Sequence, residues 1–154
     1  MIKKIALLSS FLLLLNSCGY TPIYSKKNQS IEINKIETFG EVKINKLLYN
    51  KLKVYSDNPN AEKSFSLVIN SKSNKNIIAK DKKGNPTQFS IKVSVTLDVK
   101  DSLNNEKERV FLENSAYDNN DNKFDLRKYE DSLIKNMTEK IFSEMILFIQ
   151  TVDL

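Results

Sequence analysis

The chain has 154 residues, 40% of them hydrophobic and 28% charged, which is the make-up of an ordered domain with one core and not of a disordered tail. The formal net charge is +5, with no histidine and a single cysteine. That excludes His-based triads, Cys–His pairs, intrachain disulfides and the usual zinc ligand sets. The only arginines are Arg109 and Arg127, and no stretch interleaves them with aromatics, so no nucleic acid is expected as a partner.

Residues 1–17 read as a bacterial export signal. Lys3 and Lys4 form a positive n-region, and Ile5 to Leu15 an apolar stretch broken only by Ser9 and Ser10. That run is too short for a bilayer, which needs about 20 residues, and it has the pattern of a cleavable leader. Its loss takes Lys3 and Lys4 with it and leaves a net charge of +3. The leader ends Leu15-Asn16-Ser17-Cys18, which resembles the lipobox of bacterial lipoproteins. The resemblance implies cleavage before Cys18, diacylglycerol on its sulfur and an acylated new N-terminus. Several chains are required because each buried methylene contributes about 0.8 kcal/mol and one acyl chain holds only marginally. Gly19 follows, where aspartate commonly retains lipoproteins at the inner membrane, so the outer membrane, periplasmic side, is the expected location. Residues 18–30, with Pro22 and polar neighbours, form a lipidated tether.

A domain over 31–154 follows. Ile31 and Ile33, with Ile36 out of phase, predict a first strand over 31–37. Thr38-Phe39-Gly40-Glu41 fits a capping box. Ile44, Leu47, Leu48, Leu52 and Tyr55 then recur at helical spacing, predicting a helix over 41–56 that ends at Asp57-Asn58-Pro59. Phe65, Leu67 and Ile69 alternate as a strand. The stretch 70–87 is polar, with Ile77 and Ile78 as a possible prolongation before a turn at Lys83-Gly84-Asn85-Pro86.

The clearest signal is 88–100, QFSIKVSVTLDVK. Phe89, Ile91, Val93, Val95, Leu97 and Val99 point one way and polar residues the other, a strand with one buried and one wet face. Leu103-Asn104-Asn105 provides a turn into a partner strand over 106–117 whose core-facing phase stays open. A last helix over 125–150, with Asp125 as N-cap, places Leu126, Tyr129, Leu133, Ile134, Met137, Ile141, Met145, Phe148 and Ile149 on one face. The expected fold is therefore α+β: two helices packed on one face of a four-stranded mixed, mostly antiparallel sheet, in the order β-α-β-β-β-α.

Sharper-looking motifs carry less. Asp118, Asn120 and Asn122 match the first ligands of a calcium loop, but Lys123 replaces its glycine and Tyr129 its bidentate glutamate. Glu106 with Glu108, and Glu130 with Asp131, sit in polar surroundings with nothing to separate their pKa values. The methionines and aromatics of the last helix read as core packing. No catalytic residue, cofactor or metal is expected.

Three stretches together resemble the LPS-assembly lipoprotein family, LptE, in its alphaproteobacterial form: CGYTPIY at 18–24, PTQFSIKVSVTLDVKD at 86–101, and SAYDNNDNKFDL at 115–126. The likeness runs in order over the whole mature chain. It implies a non-enzymatic outer-membrane lipoprotein that plugs the barrel LptD, assists its assembly and helps lipopolysaccharide reach the cell surface. Lipopolysaccharide is rich in phosphates and acidic sugars, so lysines are its natural contacts. The densest cluster is Lys80, Lys82 and Lys83, with Lys72 and Lys75 nearby in sequence, although loop lysines usually only solvate a turn. Alternatives are an accessory lipoprotein of another outer-membrane machine, for barrel assembly or a secretin, and a stand-alone periplasmic ligand-binding or inhibitor lipoprotein.

Overall fold

The computed structural model describes residues 31–154 apart from residue 59; the leader, Cys18 and the tether lie outside the described residues. Strand β1 spans Ile31–Gly40, helix α1 Val42–Leu52 with a 3-10 turn at Lys53–Tyr55, β2 Lys63–Lys80, β3 Pro86–Lys100, β4 Glu106–Asp118 and helix α2 Lys123–Thr151. The four strands form one sheet in the order β1-β2-β3-β4. β1 and β2 are parallel, joined by the α1 crossover, and β2-β3-β4 is an antiparallel meander. The architecture is the expected α+β arrangement, with both helices on one face.

The alternation in β3 dictates the layer structure. Ile91, Val93, Val95, Leu97 and Val99 are buried with Phe65, Leu67 and Ile69 of β2 and Phe111 and Tyr117 of β4. Ile44, Leu48 and Leu52 of α1 and Met137, Ile141, Met145, Phe148 and Ile149 of α2 close over them in one core cluster. Truncating a fully buried Leu, Ile or Met of this core to alanine costs about 2–5 kcal/mol. Tyr129, expected on this apolar face, is instead half exposed. The phase of β4 is now fixed: Phe111 and Tyr117 face the helices, while Val110 and Leu112 lie on the uncovered side.

The phase slip in β1 is a bulge. Ile33 pairs with Phe65 and Lys35 with Ser66, leaving Asn34 extra, so Ile36, Thr38 and Gly40 rejoin the helix side opposite Leu67, Ile69 and Ser71. This continued pairing overturns the capping box. Thr38 is held in the ladder, and Glu41 is the N-cap without any side-chain cap bond. The Glu41 amide goes instead to Ser71, at 3.2 Å from its carbonyl oxygen and 3.1 Å from its Oγ. Ser71 is fully buried and donates onward to Asn45 Oδ1 at 2.8 Å, which gives each of these two buried side chains a partner.

β2 runs unbroken to Lys80, far beyond Ile69. Its second half looked like a loop in sequence because it is exposed on nearly every residue. Its ladder to β3 holds it extended, through register shifts near Ala79. At the start of α2, Asn122 is the cap in place of Asp125: its Oδ1 accepts from Phe124 N at 3.1 Å and Asp125 N at 3.3 Å. Asp125, at the first turn, accepts from Asn122 Nδ2 at 2.7 Å, an arrangement that satisfies orphan amides and sets a negative charge at the positive helix end. Among the described residues no helix is long and apolar enough to cross a membrane.

Candidate functional site

The lysine cluster sits on the β2–β3 hairpin tip. That loop, Asp81-Lys82-Lys83-Gly84-Asn85, is tied together by one carboxylate: Asp81 Oδ1 accepts from the amides of Lys83 at 2.8 Å and Asn85 at 2.9 Å, and Oδ2 accepts from Asn85 Nδ2 at 3.0 Å. Gly84 closes the turn with φ +85°, a conformation that favours glycine. The Asn85 side-chain and backbone hydrogen bonds hold the Asp81 carboxyl below the usual aspartate range. With the acid consumed by its own loop, Lys80, Lys82 and Lys83 are all solvent-exposed, a cationic tip on a rigid turn.

The same loop recurs at the other end of β3. Asp101 Oδ1 accepts from Leu103 N at 2.8 Å and Asn105 N at 2.9 Å, and Oδ2 accepts from Asn105 Nδ2 at 2.8 Å. Asn104 takes the left-handed position with φ 65°. The shared Asp-x-x-Gly/Asn-Asn pattern was readable in the sequence as a repeated turn, but each copy looked like ordinary loop composition.

The structure divides the sequence-predicted lysines. Lys75 is not part of a free cluster: it pairs with Glu130 of α2 and lies 4.1 Å from the Phe89 ring centroid. Glu130 also accepts from the Tyr117 hydroxyl at 2.7 Å, while Phe89 and Tyr117 stack at 5.7 Å and Tyr129 packs on Tyr117 at 5.9 Å. Burial first, then Glu130, raises the Tyr117 pKa well above the ordinary phenol value, so it remains a donor at any physiological pH. This group clamps the N-terminal half of α2 to the hairpin. Lys72 lies opposite Ser94 on the uncovered sheet face, diagonal to Lys92 two residues back along β3. Sequence reasoning passed over Lys92, although the alternation of β3 places it on the wet side.

The residues that imitate a calcium loop hold their own turn. Lys123 Nζ sits 3.0 Å from Asn119 Oδ1 and 2.9 Å from the Asn120 carbonyl. Asn120 Oδ1 accepts from Asn122 N at 2.9 Å, and Asn119 Nδ2 donates to the Pro86 carbonyl at 2.8 Å, binding this turn to the hairpin base. An open cleft of about 840 Å³ beside it is lined by Asp118, Asp121, Asp125 and Tyr129. Among the described residues no three acidic side chains gather into a set that could hold a metal ion.

No family model and no curated protein matches the chain. Solved structures do. Rare lipoprotein B from Shewanella oneidensis superposes with a TM-score of 0.58 at 11% identity, over 77% of this chain and 95% of that one. Lipoprotein B from Nitrosomonas europaea gives a TM-score of 0.55 at 15% identity, over 77% of this chain and 84% of that one. Identities this low show shared architecture and nothing about chemistry. The chain has the fold of the rare lipoprotein B structures.

Proposed function

We propose that the chain is a lipid-anchored lipoprotein of the outer membrane, facing the periplasm, that acts as plug and assembly factor for an LptD-type barrel in lipopolysaccharide transport. The observation that carries this reading is the pairing of a lipobox-like Cys18 with a fold that covers 95% of a rare lipoprotein B chain. In this reading the protein has no catalytic residue; its work is binding.

Geometry supports the role. The tether joins the domain at Ile31, which pairs with Lys63 at the start of β2. Thirteen residues can reach at most about 45 Å, which sets the greatest distance between that pole and the membrane in this reading. From Lys63, β2 rises about 55 Å to Lys80 at roughly 3.3 Å per residue. That exceeds the apolar band of an outer-membrane barrel, about 25 Å tall, and Lys80, Lys82 and Lys83 lie at the end of β2 away from Ile31. The uncovered sheet face, with Ser90, Lys92, Ser94, Thr96 and Asp98, is polar enough to stand against a polar lumen. A shared membrane raises the effective concentration of plug and barrel.

Lys80, Lys82 and Lys83 are proposed to contact phosphates or acidic sugars of lipopolysaccharide. Depletion of the protein tests the function: surface lipopolysaccharide and folded barrel should fall together. Unchanged levels of both reject it. Mass spectrometry of the membrane-extracted chain tests the anchor, and an unmodified Cys18 on an uncleaved leader rejects that part.

A further inference from the structure

We infer that the uncovered sheet face docks a protein surface that sets basic side chains beside aliphatic ones. The inference rests on the plug reading, in which that surface is the inner wall of the barrel. Strand register lays two neighbouring cross-strand rows on this face, each drawn from all four strands. One holds Phe39, Asn70, Thr96 and Val110, the other Glu37, Val68, Asp98 and Glu108.

The first row is apolar at both ends. Phe39 and Val110 are 55% and 52% exposed, and Leu112, two residues beyond Val110 on β4, is 49% exposed. Both helices close over the opposite face, so among the described residues none shields these side chains. Three inter-strand spacings, about 14 Å, separate the ends of the row, and Thr96 adds a methyl group between them. Large apolar side chains gathered on a layer that is otherwise polar mark an interaction surface.

The second row states the partner's charge. Asp98 stands directly opposite Glu108 in the β3–β4 ladder, and like charges so placed are destabilising. Their neighbours Glu37 and Glu106 are paired, with Lys35 and Lys100. Among the described residues Asp98 and Glu108 have no such base. Arginine or lysine from a partner, set over the two carboxylates, turns that repulsion into attraction. Beyond the apolar row, on the side away from Ile31, the face changes sign and carries Lys72 and Lys92. The pattern therefore dictates which way up the partner lies: its basic side chains fall on the Ile31 side of its aliphatic ones. Complementarity of this kind fixes register and rejects wrong partners.

The test uses the full chain, affinity-purified from membranes in mild detergent. Asp98→Asn/Glu108→Gln removes the repulsion within the chain and the attraction to the partner together. Its melting temperature should hold or rise, while the barrel retained on the chain falls at least about fivefold. Undiminished retention overturns the inference. So does a lowered melting temperature, which would show that the pair is satisfied within the chain. A photocrosslinking residue at Leu112 of the otherwise wild-type chain removes any dependence on the charge variants: it should capture the barrel. If the barrel co-purifies but Leu112 does not capture it, the docking face is wrong and the plug reading stands. A wild-type chain that brings down no barrel removes the plug reading, and the inference with it.

Discussion

The backbone of Gly40 runs so close to Ser71 that a Cβ at Gly40 would lie 1.9 Å from the Ser71 carbonyl oxygen. Gly40 also sits at φ +95°, where any L side chain is strained. The contact lets the parallel ladder turn into α1 and hands the Glu41 amide to Ser71. Clash against backbone and positive φ act together, so Gly40→Ala should destabilise the domain by about 3 kcal/mol or more. Urea denaturation checks this; a loss below about 1 kcal/mol would contradict the packing.

The paired hairpin carboxylates predict acid sensitivity. Hydrogen bonds from Asn85 hold Asp81 down, and those from Asn105 hold Asp101 down. Both stay ionised to lower pH in the folded chain than in the unfolded one, where aspartate titrates near about 3.9. Their contribution is complete above that value and is lost as pH falls through the depressed folded pKa. Between pH 7 and pH 3 the urea midpoint should therefore fall less in Asp81→Ala/Asp101→Ala than in wild type, from a lower starting point. Parallel curves would show that these loops add nothing.

Tyr117→Phe should cost about 1–2 kcal/mol, because it strips the hydroxyl donor from Glu130, whose side chain is only 16% exposed. The ring stack on Phe89 survives the change. Since Tyr117 lies at the hairpin end of α2, hydrogen exchange should quicken around Leu126 to Leu133 before it does at Met145. Uniform exchange along the helix would deny the clamp.

Substituting Lys80, Lys82 and Lys83 by Glu should leave the melting temperature within a few degrees, as these side chains are exposed on a turn fixed by Asp81. Affinity for purified lipopolysaccharide should drop severalfold at low salt and less at high salt, where screening has already weakened the contact. Equal affinity at low salt removes the tip from the binding site.

Legibility followed solvent contrast. β3 could be read residue by residue because Phe89 to Val99 alternate against Ser90 to Lys100 across a dry face and a wet one. Past Ile69 only Ile77 and Ile78 pointed to the prolongation of β2 that the structure has, since from Lys72 onward it extends largely into solvent and its Asn, Ser and Lys residues resemble loop composition. The Asn34 bulge showed only as the misplaced Ile36, because pairing with a distant strand decides it. Thr38 and Asp125 had the right chemistry for caps; tertiary pairing claimed the first, and Asn122 stood better placed than the second. The lysines were visible as a run, but their split depended on Glu130, 55 residues from Lys75.

Affinity purification of the native chain from membranes in mild detergent puts the plug hypothesis to its most direct test. The account predicts that an LptD-type barrel co-purifies in stoichiometric amount and that the lysine tip variants retain it. Recovery of the folded lipoprotein with no integral barrel bound would contradict it.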